Sequence, residues 1–205
     1  MKIYPEVIEQ INIISAKELV SEDRKAVLSA LIDYLQSKRG ATKSVILEFI
    51  CTHNSRRSQL AQVWAEIAAK YYNFENLSCY SGGTEQTAVY PTVLAAIKSQ
   101  GCQVISLSDG QNPIYGVKYS ESQLPILLFS KIVTHEYNPT KGFAALMTCS
   151  EAAENCPVVF GMERRLSLPY IDPKATDGSE KEQEAYLATA EQIAAEMLYV
   201  FSKLK

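Results

Sequence analysis

The chain has 205 residues, 47% of them hydrophobic and 21% charged, with a formal net charge of −3. That apolar share is ample for the core of one large domain, or of one domain with additions, and a slightly acidic chain has no general drive toward nucleic acid or an anionic membrane. Five cysteines, two histidines, no Cys-x2-Cys pair and no apolar run of bilayer length leave a disulfide framework, a structural zinc site and a transmembrane helix without support. Acidic residues and Asn12 interrupt the apolar residues of the N-terminal stretch, so it does not read as a signal peptide and a cytoplasmic location is expected. In a reducing compartment, cysteines are buried, metal-bound or catalytic.

Residues 1–43 precede the first core strand and read as a helical extension. Pro5 to Ile14 predicts a short helix. Ser21 caps a second, with Glu22 and Asp23 in its first turn, Val27, Leu28, Leu31, Ile32 and Leu35 on one face, and Lys38-Arg39-Gly40 at its end. Val45-Ile46-Leu47-Glu48-Phe49-Ile50 reads as a buried parallel strand, and Gln59 to Ala69 as a helix. Leu77 to Ser81 is a second strand, after which Gly82-Gly83-Thr84 turns the chain. Pro91 opens a helix that Gly101 stops. Alternating strands and helices of this kind imply right-handed crossovers and a parallel sheet.

Residues 109–140 break the alternation. Asn112-Pro113 and Tyr115-Gly116 are turn signals, Ile126 to Phe129 is a short strand, and the whole predicts an inserted hairpin or lid beside the strand ends, where loops set access. His135 within it reads as a surface or packing residue. Phe143 to Thr148 is the third core strand and Leu166 to Tyr170 the fourth. Ser179 caps a final helix running to Lys203, with Tyr186, Ala190, Ile193, Met197, Val200 and Leu204 as its core stripe.

The chemistry concentrates between the first strand and its helix, in Cys51-Thr52-His53-Asn54-Ser55-Arg56-Arg57-Ser58. A helix N-terminus offers unpaired N–H groups and a partial positive charge, and a loop wrapped before it adds donors aimed at one point. Arg57 supplies a planar fork for two oxygens. A cysteine in that field is primed to act as a nucleophilic thiolate. A second constellation is Cys149-x6-Cys156, a helix-prone polar segment bracketed by thiols after a strand end; partial unwinding brings such a pair to bonding distance. Cys79 and Cys102 read as small buried hydrophobes. Asp172-Pro173 sets an extended backbone at an aspartate, which helps to aim its carboxylate.

The Cys-x5-Arg-Ser run, with Asn54 inside it, resembles the signature of the low-molecular-weight protein tyrosine phosphatases and of the thioredoxin-coupled arsenate reductases that share their fold. Ser81-Gly82-Gly83-Thr84 resembles that family's Ser-Ala-Gly-Thr turn, and Asp172-Pro173 its acid loop. Cys149-Ser150-x-Ala152-x-x-Asn155-Cys156-Pro157 is similar to the redox segment of the reductases, which the phosphatases lack. The resemblance covers roughly residues 44–205 apart from the insertion. It implies a three-layer α/β sandwich on a four-stranded parallel sheet, to which the helical extension and the insertion are added.

It further implies an oxyanion held by the loop of Thr52, His53, Asn54, Ser55, Arg56 and Arg57. Cys51 would be the nucleophile, Ser58 its stabilising partner and Asp172 the general acid. Cys149 and Cys156 would complete a disulfide relay drained by thioredoxin or a similar dithiol, with no bound cofactor and no metal. A phosphatase using the same Cys51, Arg57 and Asp172 is the alternative, and a thiol redox sensor that does not turn over is a third reading.

Overall fold

The computed structural model describes residues 2–39, 44–150 and 159–204. Strand β1, Val45–Cys51, lies in the middle of the fold, because a run apolar on both faces is stable only when both are covered. It pairs in parallel with β2, Leu77–Gly83, on one side and with β6, Phe143–Met147, on the other; β7, Met162–Ser167, pairs in parallel with β6, giving the order β2-β1-β6-β7. The expected four-stranded parallel sheet is therefore present, and Cys51 ends its central strand.

Side chains of β1 alternate between two buried faces. Leu47 and Phe49, with Ala144 and Leu146 of β6, join the main core. The helices on that core are α3, Arg57–Tyr71, α4, Pro91–Ser99, and α5, Glu182–Ser202. The extension's helices α1, Pro5–Ala16, and α2, Glu22–Lys38, lie on α5 and contribute Val7, Ile11, Ile14, Leu28, Leu31 and Leu35 to the same core. Arg24 of α2 grips the fully buried Glu196 through two 2.7 Å bonds. A second, smaller cluster fills the opposite face with Ile50, Cys51, Ala145, Met147, Cys149 and Val159.

Several expectations need correction. The insertion forms a hairpin of β4, Tyr115–Lys118, and β5, Ile126–Leu128. A strand not anticipated, β3 at Gln103–Ser106, extends it to a three-stranded antiparallel sheet. The β3 residues are mostly exposed, so they carry no alternating apolar signal. In the segment that follows, Ser130 and Lys131 hydrogen-bond to His53 and Asn54 of the loop after β1.

The fourth sheet strand is Met162–Ser167 and not 166–170; its Glu163, Arg164 and Arg165 are exposed, as suits a charged sheet edge. Gly82 and Gly83 belong to β2 and do not turn the chain. Val27 points outward at 39% exposure. The final helix starts at Glu182; the Ser179 hydroxyl instead donates to Thr176 O at 2.7 Å and accepts from Lys181 N at 3.3 Å.

Candidate active site

Cys51 is the last residue of β1, and α3 begins at Arg57. The intervening loop is held by its carbonyls. Cys51 O accepts from Thr84 N (3.3 Å), Thr52 O from Glu85 N (2.9 Å), and Ser55 O from Tyr90 N (3.1 Å). His53 O accepts from the Ser130 hydroxyl (2.8 Å) and Asn54 O from Gln59 Nε2 (2.9 Å). Arg56 O accepts from Leu60 N (3.1 Å). All six carbonyls from Cys51 to Arg56 thus have partners, that of Arg56 within the first turn of α3. In a planar trans peptide the N–H lies opposite the C=O, so the amides of residues 52–57 turn toward the inside of the loop. That is the concavity of donors that binds an anion.

Two residues give the loop its shape. Asn54 has a left-handed backbone, φ +46, a conformation that asparagine tolerates better than most side chains. Its buried amide donates to Ser58 Oγ at 2.9 Å and accepts from Lys131 N at 3.0 Å. Ser58 Oγ, 3.1 Å from Cys51 Sγ, is therefore supplied with a donor from Asn54 and keeps its own proton for the sulfur. Gly83, beneath the loop, has no room for a side chain: a Cβ there would lie 2.7 Å from Thr52 O and 2.9 Å from Asn54 N.

Arg57 is buried and faces the acid segment. Nη2 bonds Asp172 Oδ2 and Nη1 donates to Tyr170 O at 3.0 Å, while the buried Nε has no partner. Asp172 also accepts from Lys174 N at 3.0 Å and so caps the short 3₁₀ turn Pro173–Thr176. Cys149, just past the end of β6, has its Sγ 3.6 Å from Thr52 Oγ1. Because β6 runs parallel to β1, the two thiols emerge at the same end of adjacent strands. Cys156 lies outside the described residues.

Arg56 belongs to the loop through its backbone. Its guanidinium turns away, to the Tyr186 hydroxyl, Asp177 and the Tyr90 ring. The His53 side chain faces Glu85 at 3.4 Å. His135 packs edge-on against Phe129. Cys79 and Cys102 are buried away from the loop; burial pushes the Cys79 thiol well above its usual range, helped by Glu66, and pushes Cys102 up to about 12.

Sequence reasoning missed Ser130, Lys131, Thr87, Gln59 and Tyr90, which brace the loop, and Glu48 behind it. Lys131 is fully buried, with its ammonium 4.3 Å from the Phe129 ring centroid, and Glu48 is fully buried with neither carboxyl oxygen hydrogen-bonded. Burial pushes Glu48 up to about 8 and pulls Lys131 down to about 8, each opposed by the other's charge. No group of three or more metal-ligating side chains is assembled among the described residues. No helix among them is long and apolar enough to cross a membrane.

Among solved structures, a low-molecular-weight protein tyrosine phosphatase from T. tengcongensis superposes with a TM-score of 0.52 at 15% identity, over 78% of this chain and 100% of that one. The structure of an arsenate reductase in the phosphate-binding state superposes with a TM-score of 0.50 at 19% identity, over 78% and 99%. The fold is thus that of the low-molecular-weight phosphatase superfamily. No family model matches the chain. In sequence it is 31% identical over 133 residues to arsenate reductase 2 of Staphylococcus saprophyticus, 64% of this chain and 81% of that protein. It is 26% identical over 141 residues to the arsenate reductase of Bacillus subtilis, 69% and 83%. The chain belongs to the arsenate reductase family of that superfamily, and is an enzyme.

Proposed function

We propose that the protein reduces arsenate to arsenite, with Cys51 as nucleophile and a three-cysteine relay carrying the electrons. The observation that carries this reading is that the six carbonyls at residues 51–56 are all taken by partners, which leaves the loop amides and Arg57 to hold a tetrahedral oxyanion against Cys51. The Cys51 thiolate attacks arsenic, and a hydroxide leaves as water with a proton from Asp172. Cys149 thiolate then attacks Cys51 Sγ. The Cys51–arsenic bond breaks with its electron pair going to arsenic, so arsenite departs and a Cys51–Cys149 disulfide remains. Attack by Cys156 on Cys149 frees Cys51 and passes the disulfide to Cys149–Cys156. A dithiol protein of the thioredoxin kind returns the two electrons. No bound cofactor takes part, and the setting is the cytoplasm.

A phosphatase would share every step through formation of the Cys51 adduct and then resolve it with water. The position of Cys149, its sulfur 3.6 Å from the Thr52 hydroxyl of the oxyanion loop, favours resolution by thiol. Arsenate turnover with thioredoxin, thioredoxin reductase and NADPH, run beside aryl-phosphate hydrolysis, tests the choice. Sustained NADPH oxidation that depends on arsenate supports the reductase. Phosphate-ester turnover with no arsenate-dependent oxidation overturns it.

A further inference from the structure

Adjacent arginines of the loop hold the two ends of one segment, whose role rests on Asp172 as the proposed acid. Arg57 holds Asp172, at the start of the 172–177 segment. Arg56 holds Asp177, at its end, through Nη2 to Oδ2 at 2.5 Å. The Tyr186 hydroxyl donates to the other oxygen, Oδ1, at 2.6 Å and accepts from Arg56 Nε. The Arg56 guanidinium lies 4.4 Å from the Tyr90 ring centroid, Tyr90 stacks on Tyr186, and Tyr90 N is bonded to Ser55 O of the loop itself. Asp177 is thereby tied to the loop by charge, by a tyrosine bridge and by stacking, with both carboxylate oxygens taken.

Arg57 has no such single duty. In this structure its fork is on Asp172 and Tyr170 O, and an oxyanion in the loop competes for the same N–H groups. When substrate takes that fork, one of the two charged links between the loop and the 172–177 segment is lost, at the moment when the acid must stay near the leaving oxygen. We infer that Arg56 is a positioning residue for the acid-bearing turn: through Asp177 it keeps Asp172 docked on the oxyanion loop while Arg57 is engaged by substrate. The intervening 3₁₀ turn, capped by Asp172 itself, transmits the position of one end to the other.

Hydrogen exchange with inorganic phosphate as the probe reads this directly. In Arg56→Met and in Asp177→Asn, saturating phosphate is expected to speed amide exchange over 174–177 by about 10-fold or more relative to wild type, while residues 52–58 remain protected. In arsenate turnover both variants are expected to lower kcat by ~10- to 100-fold with little change in KM, to lose this effect in an Asp172→Asn background, and to recover in part in Arg56→Lys. Unchanged exchange over 174–177 in both variants, or losses that simply add to that of Asp172→Asn, overturns the proposal. Failure of phosphate to protect 52–58 in the wild type, or an Asp172→Asn enzyme with wild-type kcat, removes the underlying site reading and the proposal with it, and each is visible without any Arg56 variant.

Discussion

Cys51 and Cys149 are as deeply buried as Cys79 and Cys102, at 3% and 1% exposure against 4% and 6%. What separates the pairs is their company. Cys51 has a serine hydroxyl at 3.1 Å and a ring of loop amides turned toward it, and Cys149 has the Thr52 hydroxyl at 3.6 Å. Cys79 sits in mid-strand opposite Leu47, with the Glu66 carboxyl as its charged neighbour, and Cys102 has only burial acting on it. A buried thiol is inert when its surroundings disfavour the anion and reactive when polar groups are arranged to receive it. Depth alone does not sort them.

The largest expected effect breaks the reactive pair. Cys51→Ser is expected to abolish arsenate reduction and any phosphatase activity, because a hydroxyl at this site is a poor nucleophile. Cys149→Ser and Cys156→Ser are expected to stop reduction at different steps and leave phosphatase activity intact. Without Cys149 no arsenite is released. Without Cys156 a burst of about one arsenite per enzyme appears and stops, with a Cys51–Cys149 disulfide in the non-reducing peptide map. If both variants reduce arsenate like wild type, the relay is absent.

Next is the scaffold that distinguishes the two environments. Gly83→Ala places a methyl against three backbone atoms, Thr52 O, Glu85 O and Asn54 N, so the loop itself must shift. A displacement of that kind is expected to lower kcat/KM by ~100-fold while stability falls by about 1–3 kcal/mol. Steady-state kinetics beside urea unfolding would show the two effects; a change in stability with unaltered kinetics would mean that the amide geometry is not critical.

A smaller effect probes the buried charges behind the loop. Glu48 keeps its proton to about 8 in the folded protein, whereas an unfolded glutamate releases it near 4.5. Between those values the folded state binds more protons, so stability falls as pH rises. Lys131 acts in the opposite direction above that window: burial lowers it to about 8 from 10.5, so stability recovers as pH climbs through that range. Glu48→Gln is expected to flatten the loss between pH 5 and 8, by up to about 1.4 kcal/mol per pH unit, in urea titrations. An unchanged slope would assign the pH dependence elsewhere.

The sequence made some of this legible and hid the rest for physical reasons. The Cys51 to Ser58 run declares itself because strand, loop and helix are contiguous, and their chemistry follows from local backbone geometry. The groups that brace it do not: Ser130 and Lys131 reach the loop from 77 positions away in sequence, and nothing local marks a serine as a carbonyl's partner. Glu48 lies inside the run read as a buried strand, but nothing near it in sequence points to Lys131 as the charge buried beside it. Arg56 read only as a residue of the oxyanion loop, since sequence does not tell which way adjacent side chains turn at a helix start. The strand at 162–167 is hard to place from sequence because its exposed Glu163, Arg164 and Arg165 hide any apolar alternation.

Iodoacetamide labelling of the reduced native protein at mildly acidic pH, followed by peptide mapping with and without arsenate, tests the central claim most directly. The account predicts that Cys51 is modified first, that arsenate or phosphate protects it, and that Cys79 and Cys102 remain unlabelled until the protein unfolds. Faster labelling of Cys79 or Cys102, or labelling of Cys51 that neither anion slows, would contradict an oxyanion loop built around a reactive Cys51.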